Sequence, residues 1–195
     1  MTNLTENDIE KFWIRCYLNS STNLVAASIS RAYRDLSRTI HGLKEEQNNE
    51  AMEKLKALMN VIVMEITTKS FKNQTDFDNW HKFKCVELIK LFSTLYPSVP
   101  FVVGQAQKWI NMTFKYLFAL GEKRIHGITL NYPFFHIPID NIIQDKLKQI
   151  IPKFDCAWSR IIDYNKYLDY QIKVRNKYKG QIPMDIEFKL FNEQL

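Results

Sequence analysis

The chain has 195 residues, 46% of them hydrophobic, and 27 Lys and Arg against 21 Asp and Glu give it a formal charge of +6. That length and apolar content suffice for one continuous core, and the five glycines, six prolines and lack of any low-complexity run exclude a fibrous or linker-divided chain. The polar start from Met1 to Glu10 lacks the basic-then-apolar order of an export signal, and the apolar cluster Leu58 to Met64 falls short of the roughly 20 residues that span a bilayer. Three scattered cysteines, Cys16, Cys85 and Cys156, have no metal-ligand spacing. The expectation is a cytoplasmic protein with reduced, buried thiols, no membrane segment and neither a metal nor an organic cofactor.

In chain order, Thr5 with Asp8 forms a capping-box pattern ahead of Ile9, Phe12, Trp13 and Cys16, which recur at helical steps as one apolar face. Ser21 or Thr22 can cap a second helix through Leu24, Val25, Ile29 and Leu36, stopping near Gly42. A third helix carries Met52, Leu55, Leu58, Met59, Ile62, Val63 and Ile66. A fourth starts at Thr75 with Asp78 three residues on, and its stripe is Phe77, Trp80, the Lys84 stem, Leu88 and Leu91. Pro97 and Pro100 interrupt, and Phe101 to Leu120 reads as a fifth helix stopped by Gly121. Glu122 to Ile139 loses the helical period, yet its aromatics Tyr132, Phe134 and Phe135 indicate an ordered, packed loop. Pro138 can sit in the first turn of a helix running to Ile151, which puts Asp140 in that turn. A long helix from Trp158 to Tyr178 and a short one from Met184 to Phe191 close the chain. With no strand series, the class is all-α. The chain reads as a single helical domain over residues 1–195, with a lobe over 1–100 and a second region over 101–195.

Chemistry concentrates between Gly104 and Asp140. Lys108, Asn111, Met112 and Lys115 fall at i, i+3, i+4 and i+7, on one face of the fifth helix. A lysine in an apolar helix usually snorkels to water; an amine partly desolvated beside another cation is instead a nucleophile able to form a Schiff base. Asp140 has an ordinary role as a helix-start aspartate satisfying free N–H groups. The basic excess also lies late in the chain, with 14 Lys and Arg against 9 Asp and Glu from residue 104 onward and 13 against 12 before it. Such an excess suits a phosphate-rich partner or a merely solvated surface.

The run Gln107-Lys108-Trp109-Ile110-Asn111-Met112-Thr113-Phe114-Lys115-Tyr116, followed by Tyr132-Pro133-Phe134-Phe135-His136-Ile137-Pro138-Ile139-Asp140, resembles the catalytic core of the archaeal 8-oxoguanine DNA glycosylases of the helix-hairpin-helix superfamily. The closing Ile182-Pro183-Met184-Asp185-Ile186-Glu187-Phe188-Lys189-Leu190-Phe191 is similar to that family's last helix. The likeness covers about 60 of the 195 residues. Met112 stands where the family has an aromatic, Glu187 and Phe191 stand for its Asp and Trp, and the superfamily's Gly-x-Gly hairpin is represented only by Leu120-Gly121-Glu122.

The resemblance implies a two-lobed helical fold with the site in a cleft and a damaged or modified base flipped out of duplex DNA into it. Lys108 is then the nucleophile and Asp140 the carboxylate that stabilises the cationic sugar, giving a glycosylase with lyase activity on an 8-oxoguanine-like purine. Met112, Asn111, Lys115, His136, Glu187 and Phe191 are the candidate base-pocket residues. For His136 a packed, hydrogen-bonded role is the stronger expectation. Lys173, Arg175, Lys177 and Lys179 can track the DNA backbone or simply solvate a helix end, and Trp158, Tyr164 and Tyr167 read as core. Two other readings stay open: a non-catalytic nucleic-acid, nucleotide or protein-binding module on the same architecture, as in phage and host conflict, and a helical interaction protein with an incidental basic surface.

Overall fold

The computed structural model describes residues 3–20, 22–43 and 48–193. Among them the regular elements are eight α-helices: α1 (Glu6–Leu18), α2 (Leu24–Ser37), α3 (Asn49–Thr68), α4 (Gln74–Leu95), α5 (Val103–Leu120), α6 (Asn141–Leu147), α7 (Tyr164–Lys177) and α8 (Pro183–Phe191). Single 3-10 turns lie at Tyr132–Phe134 and Trp158–Arg160, and no strand occurs among the described residues. The all-α class therefore holds. None of these helices is long and apolar enough to cross a membrane.

Short polar side chains start most of these helices by accepting otherwise unpaired N–H groups. Thr5 and Asp8 make the expected reciprocal box at α1. Asn23, Asn48, Asn73, Asp140 and Asp163 cap α2, α3, α4, α6 and α7. Two sequence expectations move as a result. The cap of α2 is Asn23 and not Thr22 (Ser21 lies outside the described residues), and the cap of α4 is Asn73 and not Thr75. An asparagine lay one or two residues from each expected cap, and pattern alone does not choose between adjacent polar residues.

The centre of the molecule is α5, buried from Val103 to Leu117 and packed against α2 and α4. A helix covered all round must be apolar or internally satisfied, and α5 is both. Trp109 and Phe114 are fully buried, while the Trp109 indole donates to the Ile29 carbonyl at 3.0 Å. One continuous cluster of buried apolar residues runs from Leu18 on α1 to Leu190 on α8. Gly104 lets α5 touch the Trp158 turn: an added Cβ would lie 1.8 Å from the Trp158 carbonyl oxygen, and the Gly104 N–H donates to the Ile161 carbonyl at 2.9 Å.

That contact splits the expected long helix from Trp158 to Tyr178. Residue 161 is extended, Asp163 restarts the chain as α7, and Ile162 and Ile172 face outward and not into the core. The helix after Asp140 ends at Leu147 and not at Ile151, and the Ile150 N–H closes a tighter i to i−3 turn on the Leu147 carbonyl. Likewise α2 ends at Ser37, several residues before Gly42.

The apolar face of α1 is exposed instead of buried, with Trp13 64% and Phe12 57% accessible. Periodicity sets which residues share a face but not whether anything covers it. Of the cysteines only Cys85 is buried; Cys16 and Cys156 are exposed, and all three are free.

The loop over 122–139 is ordered as its aromatics suggest. The Glu122 carboxylate accepts from the N–H groups of Gly127 and Thr129 and from the Thr129 hydroxyl, at 2.5, 3.0 and 2.8 Å. Led by the Gly127 bond, these hold its carboxyl down at about 2. Asn131 ties the loop to α3, donating to the Ile66 and Lys69 carbonyls at 2.8 and 2.7 Å and accepting from the Phe71 N–H at 3.0 Å.

Candidate active site

A cleft of about 590 Å³ opens over α5, within the range of about 300–1,000 Å³ usual for small-ligand sites. Its floor is Lys108, Met112, Lys115 and Tyr116 of α5; the start of α6 contributes Asp140, Asn141 and Ile142, and α8 contributes Phe188 and Phe191. The opposite wall is α2, with Arg31, Arg34, Asp35 and Arg38, next to Tyr17 of α1.

Lys108 and Asp140, 32 residues apart in sequence, meet here with Nζ and Oδ2 separated by 2.5 Å. The two carboxylate oxygens divide the work: Oδ1 accepts the Ile143 N–H at 2.9 Å as the helix cap, and Oδ2 faces the amine. The capping role and the catalytic role expected of this residue are thus geometrically compatible. Lys108 is held from behind by the Trp158 ring, 6.0 Å from its ammonium, and its side chain is only 5% exposed against 20% for Asp140. An amine so placed cannot snorkel to bulk water.

Two turns along α5, Lys115 pairs with Glu187 of α8. Nζ donates to Oε1 at 2.7 Å, and Oε2 lies 2.5 Å from the same nitrogen. Both side chains are buried. Burial raises the Glu187 carboxyl above its ordinary value, a shift that the Lys115 charge only partly offsets. The Lys115 ammonium also lies over the Phe191 and Phe188 rings, 4.3 and 4.9 Å from their centroids, an arrangement favoured by the ring quadrupole.

The other expected site residues lie elsewhere. Asn111 is fully buried and turned away from the cleft, where its amide donates to Tyr167 and to the Gln107 side chain and its carbonyl meets His81 at 3.0 Å. His136 is buried between the Tyr167 hydroxyl at 2.9 Å and Asp78 at 2.7 Å, which is a structural position. Arg175 belongs to the same network, its guanidinium donating to both Asp78 oxygens at 3.1 and 2.9 Å. Burial alone would raise the Asp78 carboxyl, but His136, Gln74 and Arg175 together hold it well below the usual carboxylate range. Lys173 pairs with Asp169 at 2.7 Å. None of Lys173, Arg175, Lys177 and Lys179 lines the cleft.

Sequence reasoning passed over the α2 wall. Arg31, Arg34 and Arg38 stand at i, i+3 and i+7 of one helix, a spacing visible in the sequence but without meaning until α2 is laid against α5. Tyr17 donates to the Tyr116 hydroxyl at 3.3 Å, and Tyr116 donates to Asp35. Burial and then this bond push the Tyr116 phenol far up, so it stays protonated. No group of three or more His, Cys, Asp or Glu among the described residues is placed to hold a metal ion.

No family model, curated protein or solved structure matches the chain. The functional reading therefore depends on the geometry of the cleft.

Proposed function

We propose that the chain is a DNA glycosylase with lyase activity that removes an oxidised or otherwise modified purine through Lys108. The observation that carries this reading is the convergence of the Lys108 amine and the Asp140 carboxylate at 2.5 Å inside a cleft. Lys108 supplies a nucleophile shielded from bulk water. Asp140 orients it, takes its proton and faces the positive charge that develops on the sugar.

In the reaction, Nζ bonds to the anomeric carbon as the bond from that carbon to the base breaks. The base leaves with the bonding electron pair and takes the proton that Asp140 had accepted from the amine, after which the surplus proton on the newly bonded nitrogen passes to Asp140. Opening of the sugar ring leaves a Schiff base on Lys108, from which loss of an adjacent sugar proton eliminates the 3′ phosphate and cuts the strand.

The base enters the cleft by leaving the duplex stack, at a cost of a few kcal/mol that is lowest for a damaged base. Met112 and Phe191, both lining the cleft, flank it, with the Lys115–Glu187 pair beside Phe191. The helical arrangement on either side of the cleft is then the two-lobed glycosylase type.

The test is borohydride trapping on duplexes containing 8-oxoguanine and a panel of other altered purines. The expected result is a covalent protein–DNA species with the native chain and none with Lys108→Gln, whose circular dichroism stays native. Absence of a trapped species on every lesion removes the enzyme. Salt-sensitive binding that persists in Lys108→Gln without any trapping assigns the chain to a binding module instead.

A further inference from the structure

We propose that the α2 wall, Arg31 with Arg34 and Arg38, is the phosphate-binding surface of the cleft, taking successive phosphodiesters of the strand whose base faces Lys108; this rests on the glycosylase reading for the identity of the strand as DNA. Five cations line the cleft, but three have a carboxylate close by. Lys108 is paired with Asp140, Lys115 with Glu187, and Arg31 lies 3.8 Å from Asp35. Among the described residues Arg34 and Arg38 have no carboxylate within ion-pair distance and are exposed. The positive surplus of the cleft therefore sits on one wall, across from the reactive pair.

That placement answers a requirement of the chemistry. The Lys108–Asp140 pair carries no net charge, so it contributes little to holding a polyanion, and the affinity must come from elsewhere. Arginine suits the task because its planar fork of donors matches two phosphate oxygens at once.

Arg31 is positioned before any ligand arrives. Its guanidinium lies over the Tyr17 ring, 4.5 Å from the centroid, and its Nε is buried without a hydrogen-bond partner. The hydroxyl chain from Tyr17 through Tyr116 to Asp35 braces the same wall. The basic end of α7 offers no comparable surface at the cleft, since Arg175 is committed to Asp78.

The experiment measures binding of the full chain to a labelled duplex carrying a stable abasic analogue, by fluorescence anisotropy over a series of salt concentrations. The native chain is compared with Arg34→Gln, Arg38→Gln, the two combined, and Lys177→Gln/Lys179→Gln. Each lost phosphate contact should reduce the slope of log affinity against log salt by about 1, hence by about 2 in the double arginine variant, with little change in the lysine variant. Competition with deoxyguanosine monophosphate separates the two sources of phosphate. Displacement of the duplex by the free nucleotide, lost in the double arginine variant, assigns the wall to a mononucleotide; no displacement assigns it to the strand.

An unchanged slope and affinity in the double arginine variant overturns the proposal, as does a native chain that binds neither probe. Borohydride trapping in the same samples keeps the two readings apart. Arginine-dependent binding without trapping retains the wall and removes the enzyme, whereas trapping with an unaltered salt slope retains the enzyme and removes the wall.

Discussion

Acidification through the range in which histidine titrates should destabilise this protein by way of His81 and His136. Both are buried, with ring centroids 4.6 Å apart, and burial lowers both from their ordinary value, His81 strongly and His136 less so because Asp78 opposes the shift. Burial favours the neutral rings, against hydrogen bonds to Asn111 and Asp78 that favour the charged ones. His81 Nε2 meets the Asn111 side-chain carbonyl at 3.0 Å and Nδ1 meets the Tyr164 hydroxyl at 2.7 Å, while that hydroxyl also lies 3.2 Å from the Asp78 backbone carbonyl. His136 Nε2–H donates to Asp78, which leaves Nδ1 to accept from Tyr167.

A second proton on either ring puts a charge into a site shut off from water. The unfolded chain protonates these groups near pH 6.5. The folded chain does so only at lower pH, so it binds fewer protons and loses stability as the pH falls below that value. A histidine that stays neutral in the fold contributes a loss of about 1.4 kcal/mol between about pH 7.5 and about pH 5.5, so His81 alone sets that figure and the pair sets a ceiling of about 2.7 kcal/mol. Urea unfolding at a series of pH values reads the loss directly, and His81→Gln should reduce its slope by half or more whatever it does to the stability at neutral pH. A midpoint that does not change across this window would refute the neutral-ring network.

Further expectations concern the cleft and its supports. Asp140→Asn keeps a side chain that caps about as well, so the fold should persist by circular dichroism while borohydride trapping falls to background. Lys115→Met leaves Glu187 buried without its cation and should cost about 3–5 kcal/mol in urea unfolding, most of which Lys115→Met/Glu187→Leu should restore. Gly104→Ala drives a methyl into the Trp158 carbonyl and should cost about 1–3 kcal/mol, read as a fall of about 2–4 °C in Tm for each kcal/mol. A native Tm in that variant would mean that α5 does not lie as close to the Trp158 turn as described.

Local chemistry was legible in the sequence wherever a few neighbouring residues settle the outcome. Thr5 and Asp8 close the first cap, the 3.6-residue period marks α3 and α5, and Gly121 stops α5 at a positive φ of 82°. The pairing of Lys108 with Asp140 could be anticipated only through a family resemblance, because nothing in the residues between them specifies that the loop returns to α5.

Only the tertiary structure decided which faces meet. The expected face of α5 divides, with Lys108, Met112 and Lys115 in the cleft and Asn111 turned into the His81–Tyr167 network. On α1 the apolar face stays exposed, while the arginines of α2, unremarkable as a surface row, become a wall of the cleft. Spacing along a helix determines which side chains point the same way, whereas the direction they face depends on packing between elements distant in sequence.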